Sequence, residues 1–139
     1  MAYDEDLVAP KLPALFEYET SLAAPVTSDD DFDADAAERG QELFEGTAQC
    51  SSCHSGPAMT DAPVLHAPDE TGMEPMTAER SATGMYRTTP LRALLDHPPY
   101  FHDGSAETLA DVVEHYDSAL DLGLDDDEMS DLEEYLKSL

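Results

Sequence analysis

"QCSSCHSGP", residues 49–57, contains both cysteines of the chain, Cys50 and Cys53, with His54 directly after the second. Two thiols and an imidazole within five positions suggest one small object that all three side chains meet. A structural zinc site wants four ligands, normally a second Cys or His pair at motif spacing. His66 stands 12 residues beyond His54, but no fourth ligand follows at a standard interval. A thioredoxin-like redox pair sits in a βαβ setting, and no strand pattern surrounds this one. A disulfide between residues three apart would staple almost nothing.

C-x-x-C-H has one specific mechanical use that needs no further partner. Two thioethers hold a haem covalently, and the adjacent histidine ligates the iron as its proximal ligand. On this reading Cys50 and Cys53 anchor one haem c and His54 binds the metal.

The flanks are helical. Asp33 reads as the N-cap of a helix over about 35–47, "DAAERGQELFEGT". A glycine inside a helix costs about 1 kcal/mol against alanine, so Gly40, four residues before Phe44, is expected to admit a second helix at close range, with Tyr135 or Leu136 as its partners. Upstream, "LPALFEYETSL" (Leu12 to Leu22) predicts a short helix opened by Pro13, and "AAPVTSDDDFDAD" a solvated acidic linker. Residues 1–33 are therefore read as an N-terminal extension and 34–139 as the domain.

Downstream, Ser55 to Tyr86 shows no periodicity. A loop that long in a compact domain is functional or wrapped on something, and a cofactor would supply the core it packs on. "PLRALLD" (Pro90 to Asp96) predicts a short helix, and "HPPYFHDGS" a turn-rich connection. "TLADVVEHY" (Thr108 to Tyr116) predicts a helix with a capping-box start at Thr108 and Asp111. Leu109, Val112, Val113 and Tyr116 form its inward stripe. A last helix is expected over about 126–138, with Leu132, Tyr135, Leu136 and Leu139 apolar. The class is all-α with much loop.

Charge narrows the partners. The chain of 139 residues has 32 acidic side chains against 6 basic, a formal net charge of −26. Such a surface repels nucleic acid and anionic membranes and suits a protein partner with a basic face. The excess runs the whole length, which suggests adaptation to concentrated salt, where screening shortens to roughly 3 Å. Arg80, Arg87 and Arg92 fall within thirteen positions. Arginine binds carboxylates in bidentate fashion, so Arg87 and Arg92 are candidates for the haem propionates. No run approaches the ~18 apolar residues of a membrane span. "MAYDEDLV" has no basic or apolar leader region, so the chain is expected to be a mature form or an excised piece.

With "RGQELFEGTAQCSSCHSGPAMTD", "YRTTPLRALLDHPPYFHDGSAETLADVVEHY" and "DLEEYLKSL" in view, the sequence resembles the C-terminal haem domain of di-haem cytochrome c peroxidases and MauG-type proteins over about residues 12–139. The matching positions are Gly40 and Phe44, then Arg87 to Arg92, then Pro99 to Gly104. The resemblance implies a cytochrome c-like fold of about four to five short helices around one covalent haem c with a long loop. It places the distal iron ligand on the helix after P-Y-F-H-D-G, where Tyr116 stands. It also suggests calcium near that segment, at an interface between two domains.

Met59, Met73, Met76 and Met85, or His66, His97 and His115, are the other distal candidates. His102 is expected to buttress its loop and Met129 to pack. The catalytic relatives have two C-x-x-C-H motifs and this chain has one. Electron transfer by a monohaem domain is therefore the leading reading, with a peroxide-reacting haem enzyme second and a zinc or disulfide-stapled interaction domain third. The expected partners are a redox protein and a second haem domain in a longer parent. Covalent haem attachment implies a periplasmic or extracellular location.

Overall fold

A computed structural model describes residues 8–23 and 25–139. Residues 1–7, read above for a leader, and Ala24 lie outside the described residues. Five helices occur in chain order: α1 (Leu12–Ser21), α2 (Ala34–Glu45), α3 (Pro75–Ala78), α4 (Leu109–Leu120) and α5 (Asp126–Ser138).

The long helices start where side chains satisfy their orphan backbone donors. Asp33 accepts from Ala36 N–H to open α2. Thr108 and Asp111 form a reciprocal capping box on α4, as do Asp125 and Glu128 on α5. Four-residue spacing then buries Ala36, Gly40 and Phe44 on one face of α2.

That face lies against α5. A Cβ placed on Gly40 would fall 2.0 Å from the Asp131 carbonyl oxygen and 2.8 Å from Tyr135 Cβ. Only a residue without a side chain permits this crossing, which is the close approach expected from the sequence. Phe44 packs edge-on against Tyr135 at 5.1 Å. Arg39 clamps Asp131 through two nitrogens at 2.7 and 2.5 Å. Around this crossing the core gathers Phe44, Ala48, Leu109, Val113, Leu124, Leu132 and Leu136. It is a small core, drawn almost wholly from α2, α4 and α5.

The segment between α2 and α4 departs from expectation in two places. A two-residue antiparallel pair joins β1 (Leu65–His66) to β2 (Tyr86–Arg87), with Leu65 opposite Arg87 and His66 opposite Tyr86. Strands of two residues have no room for an alternating pattern, so the sequence is silent about them. The helix expected over Pro90–Asp96 is instead a single 3₁₀ turn, Leu94–Asp96. Ala93 adopts φ +51°, which breaks helical continuity, and its N–H donates to the Leu139 carbonyl at 2.8 Å. That bond pins the end of α5 to the loop. α1 has no buried residue, and Leu12, Leu15, Phe16 and Leu22 along it are all exposed. No helix among the described residues is long and apolar enough to cross a membrane.

Candidate functional site

α2 delivers the chain to a 3₁₀ turn, Cys50–Ser52, entered through Gln49 in the left-handed region. His54 N–H closes the turn on the Cys50 carbonyl at 2.9 Å. The spacing thus winds Cys50, Cys53 and His54 into one compact corner. Both thiols are free and half-buried. Burial pushes the Cys50 thiol up to about 11, with Cys53 adding to the shift. The raised value contrasts with the lowered thiols of redox-active Cys-x-x-Cys pairs.

His54 Nδ1 lies 3.1 Å from the Met59 carbonyl. A carbonyl only accepts, so Nδ1 carries the proton and the Nε2 lone pair is free to ligate a metal. Burial lowers His54 below the ordinary histidine range, which keeps it neutral and competent as a ligand. An open cleft of about 420 Å³ passes the ring, lined among others by Phe44, Ser51, Met59 and Tyr135. Phe44 stands 6.4 Å from the His54 ring centre. Two free thiols at this spacing and an imidazole oriented through Nδ1 are the groups a covalent haem needs, so the residues present fit that group.

Tyr116 is half-buried on α4, one turn beyond Val113. Burial pushes its phenol up to about 12, and Cys50 and Cys53 add to the shift, so it lies within electrostatic reach of the cysteine corner. Phe101 and His115 flank it at 5.9 and 5.3 Å between ring centres. Phe101 reaches this position from φ +63°, a backbone region that bulky residues rarely adopt.

The other sequence candidates are dispersed. Met59 lines the same cleft as His54, and its carbonyl meets the ring. Met76 and Met85 are exposed and Met73 is half-buried. His97 is exposed, and His115 Nε2 meets the Thr71 carbonyl at 3.2 Å. Met129 packs against the core. His102 Nε2 contacts the Tyr86 hydroxyl at 3.0 Å and Glu74 Oε1 at 3.1 Å, a buttress between its loop and α3. Arg92 donates to the Pro57 carbonyl, tying the segment after the motif to the 3₁₀ loop. Arg87 is exposed on β2, and Arg80 is exposed after α3.

One arrangement has no counterpart in the sequence reading. Asp61 Oδ2 accepts from His66 Nε2 at 2.9 Å, and both side chains are only 17% exposed. The pair lies beside Cys53. Nothing in the spacing marks Asp61, one acid among 32.

Comparison with known proteins gives the family and the fold. The family model described as "Cytochrome c" matches residues 37–139. Among curated relatives, the methylamine utilization protein MauG of Methylorubrum extorquens is 38% identical over 58% of this chain and 24% of its own length. The cytochrome-c peroxidase IdrP2 of a Pseudomonas species is 32% identical over 74% of this chain and 39% of its own length. The cytochrome c551 peroxidase of Nitrosomonas europaea is 29% identical over 91% and 42%. The chain therefore spans at most about two fifths of the curated relatives it matches. Among solved structures, a chain of hydrazine synthase from Kuenenia stuttgartiensis superposes with a TM-score of 0.66 at 25% identity, covering 97% of this chain and 57% of that one. A MauG-like protein associated with microbial copper homeostasis shares the fold, with a TM-score of 0.57 over 81% of this chain and 49% of that one.

Proposed function

This chain belongs to the cytochrome c family, as a MauG-type haem domain, and on that premise we propose that it carries single electrons through one haem c. Bound haem supplies a ferric/ferrous couple whose potential is set by axial ligands, burial and hydrogen bonds. The chain's own residues hold and orient it. Cys50 and Cys53 provide the two thioether sulfurs. His54 presents Nε2, with its ring angle and tautomer set by the Met59 carbonyl. Tyr116, flanked by Phe101, would supply a second protein ligand to the iron. Arg87 and Arg92 are the cationic partners of the propionates.

The observation that carries this reading is the corner that brings the free Cys50 and Cys53 thiols beside an imidazole whose Nδ1 is held by the Met59 carbonyl. The C-x-x-C-H motif holds one haem, whose ferric/ferrous couple suits the passage of one electron at a time. With a charge of −26, the redox partner offers a basic face, or docking takes place in salt that screens it. A longer parent would supply a second haem domain. Covalent haem attachment, which takes place outside the cytoplasm, supports a location outside the cytoplasmic membrane.

The test is spectroscopic. The haem-loaded chain should cycle between oxidised and reduced forms with sharp reduced bands and show no spectral change with peroxide. Rapid conversion by peroxide, with turnover of a reducing substrate, would replace the carrier reading with the enzymatic one.

A further inference from the structure

Asp61 is a carboxylate fixed in its charged form. Its Oδ1 is sequestered from solvent and has no hydrogen-bond partner among the described residues. Its Oδ2 has one, His66 Nε2. The Thr60 hydroxyl, close in sequence, is committed elsewhere: it donates to the Thr88 carbonyl and accepts from Ala62 N–H. Thr88 and His66 hold the Asp61 carboxyl below the usual range, yet the Thr88 hydroxyl completes no bond to Oδ1. No Lys or Arg pairs with Asp61 among the described residues; Arg39 and Lys137 are engaged on α5.

The position of this charge suggests its use. Cys53 Sγ, a carboxylate oxygen of Asp61 and a ring nitrogen of His66 all lie within 4.8 Å of one another. The charge is therefore fixed beside one of the two anchoring sulfurs. A negative charge there favours the oxidised, more positive state of whatever the sulfur carries.

We propose that Asp61, oriented by His66, is a potential-setting residue that holds the haem anchored at Cys53 at a lower reduction potential. This rests on the haem reading above. The step is one electron passing from an external reductant to the iron, with no bond made or broken at Asp61. A unit charge within about 12 Å, at an effective dielectric near 20, shifts such an equilibrium tenfold or more.

The experiment is a spectroelectrochemical titration of the haem-loaded chain with D61N, H66Q and E70Q. D61N should favour the reduced state by about tenfold or more. H66Q, which keeps an N–H donor for Oδ2, should stay near wild type. So should E70Q, because Glu70 is 59% exposed and only 3.9 Å from His66 Nδ1. If D61N does not fold, D61S removes the same charge. An unchanged or lowered potential in the neutral Asp61 variant overturns the proposal, as does an equal shift in E70Q. A chain with no covalent haem sinks both readings, whereas a haem-bearing chain with unmoved potential sinks this one alone.

Discussion

Gly40→Ala is the sharpest test of how the fold positions the site. The added methyl would lie 2.0 Å from the Asp131 carbonyl oxygen, 2.6 Å from its carbon and 2.8 Å from Tyr135 Cβ. Ordinary carbon contacts are about 3.5–4.0 Å, so α2 and α5 must part by roughly 1.5 Å. Two of the three obstructing atoms are backbone and cannot rotate away. Overpacking of this kind costs about 1–3 kcal/mol, and the immobile backbone puts this site at the upper end. Alanine's better helix propensity offsets about 1 kcal/mol. The net loss is about 2 kcal/mol, and at about 4 °C per kcal/mol for a domain of this size the Tm falls by about 8 °C. Thermal unfolding followed by far-UV circular dichroism on the haem-loaded protein reads this directly. A Tm equal to or above wild type would refute the crossing, because propensity alone would then have decided the outcome.

Other outcomes follow from the same structure. Tyr116→Phe should change the ferric spectrum and raise the potential, whereas Met73→Leu should leave both alone; the reverse pattern would move the distal ligand to the loop. Raising NaCl from 0.1 to 2 M should increase the Tm by several degrees as screening relieves repulsion in a chain of charge −26; a flat or falling Tm would contradict the salt-adapted reading. Glu74 is held down to about 2, first by the Thr77 side chain and then by His102, against opposing burial. Because its folded value lies below the ordinary 4.5, its contribution is complete above pH 4.5 and is lost as pH falls toward 2. Glu74→Gln should therefore lower the urea midpoint at pH 7 and flatten its acid decline; parallel pH curves for variant and wild type would count against this.

The parts of this molecule that were legible in the sequence are those where local chemistry decides the conformation. Asp33 and Thr108 begin helices because their side chains reach backbone donors three residues ahead. Gly40 announced a helix crossing because glycine is unfavourable mid-helix without one. The corner at Cys50, Cys53 and His54 was legible because C-x-x-C-H is itself a mechanical requirement. What stayed hidden depends on residues distant in sequence. The 3₁₀ turn at Leu94–Asp96 replaces a helix because Ala93 bonds to Leu139, 46 positions away. The β1–β2 pair joins segments about twenty residues apart with too little length to leave a pattern. Asp61 is one acid among many until the loop folds it against His66 and Cys53. The His102 buttress was anticipated, but its partners, Tyr86 and Glu74, come from two other segments of the long loop.

The loop from Gly46 to Thr108 joins fold to function. It contributes only a few small residues to the interior, Ala48, Ala78, Thr88, Ala93 and Ala106, yet it carries the anchoring corner, the Asp61–His66 pair and the turn that aims Phe101 at Tyr116. The helices form a frame, and the loop brings Cys50, Cys53 and His54 together with the Asp61–His66 pair.

The central claim is that Cys50, Cys53 and His54 hold one covalent haem. It is tested most directly by producing the protein in cells with c-type haem maturation and measuring haem per chain from the pyridine haemochrome spectrum, alongside haem staining after denaturing electrophoresis. The account predicts one haem per chain that survives denaturation and is lost when Cys50 and Cys53 are replaced by alanine. A chain recovered without a Soret band, with stoichiometric zinc or a Cys50–Cys53 disulfide in its place, would contradict it.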